Sequence, residues 1–218
     1  MVMKRLLVKL GLMVVALGTL GGVVAPSVSA SAAKKPTINN TDLKRYYKNA
    51  KSKTAFYFKT YKSGGKTGTM LIFGDFGATP NVKYGVPTAR TLSKDKRTLT
   101  TKYKLIQFKT VNNKTTTSLT KKTYTFKMTK KSSNTFAVKI AGSKANRRLA
   151  TTGKTYTYTR TKTSPAAAYA KKYVRPVLYK QYMKAFESLT PEQQKKFANQ
   201  YANAGVKTMT DNFNYKVK

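Results

Sequence analysis

Four Ser-x-x-Lys pairs, at Ser31, Ser63, Ser93 and Ser118, have the spacing of a serine nucleophile activated by a lysine base. The second pair overlaps Lys66-Thr67-Gly68, a further motif of penicillin-binding enzymes. With 36 Lys in 218 residues, about two of the chain's twelve serines would meet the pattern by chance, so four matches carry little weight. No Ser-Asp-Asn is present, and the Lys-Thr-Gly overlaps the dyad instead of lying far downstream. Gly65-Lys66-Thr67 and Gly153-Lys154-Thr155 have the ending of a phosphate-binding loop. That loop needs a glycine five positions earlier, where Thr60 and Arg148 stand. Both read as hairpin turns.

The residues that usually carry acid–base and metal chemistry are scarce. The 218 residues contain no His, no Cys and six carboxylates, against 44 Lys and Arg. There is no zinc-thiolate site, no disulfide framework and no imidazole base. Asp75 and Asp95, in or beside an expected loop, are the candidates for two carboxylates facing across a cleft as hydrolysis requires. Asp75 sits in Gly74-Asp75-Phe76-Gly77, an ordinary turn context, and Glu187 and Glu192 read as helix-end charges. The reading is therefore non-enzymatic, with no catalytic residue, cofactor or metal.

What remains is charge and rings. The formal net charge is +38, and 11% of residues are aromatic. Lys outnumbers Arg 36 to 8, which suits a diffuse field better than bidentate base readout. The paired cations Lys121-Lys122, Lys130-Lys131, Arg147-Arg148 and Lys171-Lys172 are the candidate polyanion-binding residues, acting as parts of that field. Anionic wall polymers such as teichoic acids, or acidic surface molecules, are the expected partners. Nucleic acid should bind non-specifically, at low salt in vitro.

The elements that must position these groups begin after a leader. Lys4, Arg5 and Lys9 precede an uncharged run from Leu10 to Val24, then Pro26 and a small-residue stretch. This is the order of a secretory signal peptide, with cleavage expected after Ala30 or Ala32. Removal of residues 1–30 takes away three cations and no anion, leaving 41 basic and 6 acidic side chains and a charge of +35. No second long apolar run exists to span a membrane. Residues 31–50 read as a linker with a possible short helix through Asp42, Leu43, Tyr46, Tyr47 and Ala50.

Residues 51–163 alternate as strands. Tyr124, Phe126 and Met128 interleave with Thr125, Lys127 and Thr129, and Phe136, Val138 and Ile140 with Ala137, Lys139 and Ala141. Leu99, Thr101, Tyr103 and Leu105 hold one parity, and Ile106 and Phe108 the other, which predicts a bulge near Leu105. Residues 74–97, punctuated by Gly74, Gly77, Pro80, Gly85 and Pro87, read as a long loop. Helices follow over 164–218. One starts at Pro165 and ends or kinks at Pro176; a second runs from Pro176 with Leu178, Tyr182, Ala185, Phe186 and Leu189 near helical spacing; a third is capped by Thr190 with Pro191 at N1 and ends at Gly205. The fold class is α+β: an antiparallel meander or small barrel, then C-terminal helices, after a cleaved signal peptide.

The leader, the lysine- and threonine-rich β region and the missing Cys resemble small secreted proteins of lactic acid bacteria. The strand pattern from Lys102 to Lys162, ending in Gly153-Lys154-Thr155-Tyr156-Thr157-Tyr158-Thr159-Arg160, resembles the closing strands of lipocalin-like barrels. The early Gly-x-Trp of that group is missing, since the chain has no Trp. Neither resemblance implies an activity. Three functions follow as expectations: a secreted or wall-associated protein held by multivalent electrostatics; a small barrel binding an apolar ligand on its aromatic inner face; and a hydrolase built on Asp75 and Asp95.

Overall fold

The alternating segments form nine antiparallel strands in the computed structural model, which describes residues 35–63, 66–112, 114–141 and 155–215. The leader and both cleavage points fall outside the described residues. The strands are β1 (Tyr46–Asn49), β2 (Thr54–Ser63), β3 (Lys66–Asp75), β4 (Asn81–Leu92), β5 (Thr98–Val111), β6 (Lys114–Leu119), β7 (Tyr124–Lys130), β8 (Thr135–Ala141) and β9 (Thr155–Thr161). Eight of them run β4-β3-β2-β1-β9-β8-β7-β5, and β5 pairs back onto β4, so the sheet closes into a barrel. β6 lies outside this ring. It pairs with residues 106–111 of β5, which run on past the last β4 partner, Leu105.

A short helix, α1 (Asn40–Leu43), precedes the barrel. After it come α2 (Ala166–Tyr169), a π-helical turn (Ala170–Val174), α3 (Arg175–Ala185) and α4 (Pro191–Phe213). Among the described residues no helix is long and apolar enough to cross a membrane.

An eight-stranded barrel has an interior that side chains can fill. Here rings fill it. Phe56 stacks on Tyr47 at 4.7 Å and meets Phe126 at 5.1 Å and Tyr158 at 5.0 Å, both edge-on. Phe126, Val138 and Met128 are buried and Tyr156 is partly so, while Lys127, Lys139 and Thr157 face water, as period two requires. A second apolar cluster lies outside the barrel. Ala55 and Tyr57 of β2 and Met70 and Ile72 of β3 point outward and are buried beneath Tyr169, Val174, Met209 and Phe213 of the helical segment. Both faces of β2 and β3 are thus covered. That is why Thr69-Met70-Leu71-Ile72-Phe73 reads as an unbroken apolar run.

Five sequence expectations change. Tyr46 and Tyr47 are in a strand, not a helix. Tyr47 points into the barrel and Tyr46 packs outward against Tyr57 at 4.8 Å, so the barrel begins inside the expected linker. The expected 74–97 loop contains β4, because its Gly and Pro mark irregularities within a strand. A Cβ on Gly85 would lie 2.7 Å from the Tyr103 ring, and Pro87 sits at the bulge between Pro87 and Ala89. β5 shows no bulge at Leu105. Ile106 and Phe108 are apolar on the outward parity because the helices and β6 face them. Helix does continue from Pro176 as expected, but the preceding segment does not stop there, because a π turn at Ala170–Val174 leads into α3 without a break. Gly205 does not end α4. It allows close helix approach, since a Cβ there would meet Leu178 Cδ1 at 2.3 Å.

One end of the barrel is closed by α1. Asn39 caps this helix: its side chain accepts from the Asp42 N–H, and Asp42 Oδ2 accepts from the Asn39 N–H. The Asp42 carboxylate is fully buried and also takes Lys130 Nζ at 2.8 Å and Arg160 Nη1. The Tyr47 hydroxyl donates to the Asp42 carbonyl at 2.7 Å, and Lys130 Nζ donates to the Thr37 carbonyl at 2.9 Å.

The buried tyrosines predict alkaline lability. Burial pushes Tyr158 up to about 12, and burial likewise raises Tyr47, Tyr57 and Tyr103. Unfolded, these phenols release protons near pH 10, whereas the native state holds them longer. The native state therefore binds more protons over roughly pH 10 to 12, and stability falls as pH rises through that window. Urea midpoints taken between pH 9 and 12, alongside tyrosinate absorbance, should show a flat region and then a steep fall. A flat profile throughout would mean the phenols are accessible.

Candidate functional site

The structure disperses the candidate cations. Lys121 and Lys122 are exposed in the turn before β7, and Lys131 is exposed in the turn after it. The length of β7 separates the two turns, on the order of 20 Å. Lys171 and Lys172 are exposed on the π turn, with Lys172 Nζ 5.4 Å from the Tyr173 ring centre. Arg147 and Arg148 fall outside the described residues. Lys130 is the exception in kind: it is buried against Asp42 and turned away from any outside polyanion.

The two loop carboxylates do not converge. Asp75 is buried at the end of β3, where Oδ1 accepts from the Gly77 N–H at 2.8 Å. Asp95 is exposed in the β4–β5 turn. The Ser93 hydroxyl and then the Arg97 backbone N–H hold its carboxyl below the usual range. Asn81 pairs with Asp75, and Leu92 stands just before the turn that carries Asp95. The length of β4, on the order of 30 Å, therefore lies between them. The hydrolase reading has no cleft in which these two meet. Among the described residues no cluster of three or more metal-ligating side chains occurs.

A deep concavity lies outside the barrel. It is a groove of about 980 Å³ between the α3–α4 pair and the outer surface of β4, β5 and β6. Helical periodicity builds one wall. Tyr201, Ala204, Gly205, Thr208, Met209 and Asn212 recur at i, i+3, i+4, i+7, i+8 and i+11 along α4, and Val174, Leu178 and Tyr182 at steps of four through the π turn and α3. Strand periodicity builds the other. Val82 and Tyr84 alternate on β4, Ile106 and Phe108 on β5, and Thr117 stands directly across from Phe108 on β6.

Tyr84 is fixed at the junction of the walls. Its hydroxyl donates to the Asn212 carbonyl at 2.9 Å, and its ring meets Phe108 at 5.9 Å and Tyr215 at 5.8 Å. Burial raises its pKa, so the phenol stays a neutral donor. Tyr201 packs against Tyr182 at 5.3 Å yet is 47% exposed, and Phe108 is 57% exposed. These rings are held in place and left open to solvent. Among the described residues no charged one lines the groove, in a chain that is 23% charged. The arrangement offers apolar area, phenol hydroxyls and two amides, Asn81 and Asn212, and no nucleophile–base pair.

Sequence reasoning placed the ligand space inside the barrel, where the aromatics alternate. Those rings occupy the interior themselves. The signal for the groove was the parity change at Ile106 and Phe108, together with the uncharged stripe of α4. The closed, cysteine-free antiparallel barrel is loosely consistent with a lipocalin-like fold. The chain matches no protein-family model, and neither a curated protein nor a solved structure is similar to it.

Proposed function

We propose that this protein is a non-enzymatic, exported binder of an apolar ligand, which it takes into the groove between α3–α4 and the β5–β6 hairpin. One observation carries the reading: a concavity of about 980 Å³ lined by rings and aliphatic groups with no charge. Its size lies within the range of small-molecule sites, and a few fixed polar groups among apolar ones are their usual composition. The leader sequence supports release or retention outside the cell, with a mature start at Ser31 or Ala33. The Lys- and Thr-rich, Cys-free composition supports an envelope protein of the lactic-acid-bacterial type.

The test uses N-phenyl-1-naphthylamine, an uncharged probe that the basic surface does not attract. Saturable fluorescence enhancement is expected at one site, insensitive to molar salt. Ala204→Phe, which places a ring in the groove from an exposed helix position, should weaken binding tenfold or more. No saturable binding, or binding unchanged by Ala204→Phe and by Phe108→Ala, would overturn the reading.

A further inference from the structure

We infer that the outer face of β5, β7, β8 and β9 is a docking surface for a linear poly(polyol phosphate), independent of the groove. The strand registers bring Thr100, Lys127, Lys139 and Thr155 into one row across four strands. Lys127 stands directly opposite Lys139, and both are exposed. Opposed like charges at this separation weaken a sheet. Lys127, Lys139 and Lys102 have no ion-pair partner among the described residues, and none of the six carboxylates lies on these four strands. The second apolar cluster sits over β2 to β4 and reaches β5 at Ile106, beyond the Thr98–Tyr103 stretch that pairs with β7, and among the described residues none of its members comes from β7, β8 or β9.

The face has the character of a site for a polymer that supplies the missing negative charge. Thr125 and Thr157 also point outward here, and their hydroxyls can donate to phosphate oxygens, while Thr98 and Thr129 beside them share a hydrogen bond at 2.9 Å that leaves one donor between the two. No aromatic ring points outward from the paired parts of β7, β8 and β9, because Tyr124, Phe126, Phe136 and Tyr158 face the core. Bases would have nothing to stack on, which disfavours single-stranded nucleic acid. The cations are lysines, point charges that hold phosphate without demanding a fixed geometry, which suits a flexible chain.

The experiment titrates the mature protein with labelled poly(glycerol phosphate) over a salt series, and with a DNA duplex carrying the same number of phosphates. Lys102→Gln, Lys127→Gln and Lys139→Gln together should weaken polymer binding tenfold or more and reduce the log–log salt slope by about one to three. Lys171→Gln, Lys172→Gln and Lys180→Gln, which remove equal charge from the helices, should change affinity less than about threefold. Naphthylamine binding should be unchanged in both. Equal losses from the two triple variants would mean a diffuse field and no docking face. Tighter binding of the duplex, lost in the same face variant, would mean a nucleic-acid site and overturn the polymer assignment. A second readout needs no partner: Lys127→Gln alone should raise the urea midpoint of the free protein by removing the opposition. A midpoint that falls would show the pair is already relieved, against the inference.

Discussion

Asp42→Ala should cost about 3–5 kcal/mol, the magnitude for removing one partner of a buried ion pair. Asp42 joins four parts of the chain, three through its side-chain carboxylate and one through its backbone carbonyl. It takes the α1 cap from Asn39, the ammonium of Lys130 at the end of β7 and the guanidinium of Arg160 on β9, while its carbonyl anchors the Tyr47 hydroxyl. Without it Lys130 keeps the Thr37 carbonyl and Arg160 keeps Asn134 Oδ1 at 3.0 Å, but neither has an anion in a closed barrel end. Against a total stability of about 5–15 kcal/mol, that loss brings unfolding within reach of mild denaturant. The second variant separates the causes. Lys130→Met added to Asp42→Ala removes a stranded charge and should recover part of the loss, which a merely poorer helix cap would not allow. Equilibrium urea unfolding of the three proteins decides it. A loss under about 1 kcal/mol for Asp42→Ala would mean that water reaches the cluster and that the end is open.

The same residues show how much was legible in advance. Thr125 to Met128 and Phe136 to Ile140 declare their inward faces, because one side of each strand meets rings and the other meets water. The antiparallel strands and the C-terminal helices follow from such patterns, whereas closure of the sheet rests on the pairing of β4 with β5, and the filling of its interior on how the rings meet across it. β1 and β4 were hidden for opposite reasons. Tyr46 and Tyr47 are both apolar because one faces the helices and the other the core, so period two vanishes. β4 carries Gly85 and Pro87, whose local signal is a turn, while the Tyr103 ring and a bulge hold them in a strand. The Lys130–Asp42 pair spans 88 residues of sequence and has no local signature, so Lys130 looked like any of its neighbours. The groove is similarly non-local. Its walls come from β4, β5, β6 and the helices, and only closure of the barrel brings them together.

Phe126→Ala should cost about 3–5 kcal/mol and leave naphthylamine binding at the groove unchanged. The ring is fully buried and lies against Phe56 at 5.1 Å, Phe58 at 5.9 Å and Phe73 at 6.0 Å, so its removal leaves a cavity walled by rings that are themselves packed on all sides. They cannot collapse far without leaving their rotamers, which puts the loss toward the upper part of that range. Tyr201→Ala is its counterpart. That ring is half exposed and lies on the groove wall, so its removal should cost at most about 1 kcal/mol of stability and weaken the probe severalfold or more. The two variants assign structure and binding to different aromatics. If Phe126→Ala abolished naphthylamine binding at a urea concentration where the fold is intact, and Tyr201→Ala did not, the ligand would enter the barrel and the inner rings would have to part for it. The expected result is the reverse: an interior that supplies stability, and outward rings of α4 and β5 that are costly to expose to water until a ligand covers them.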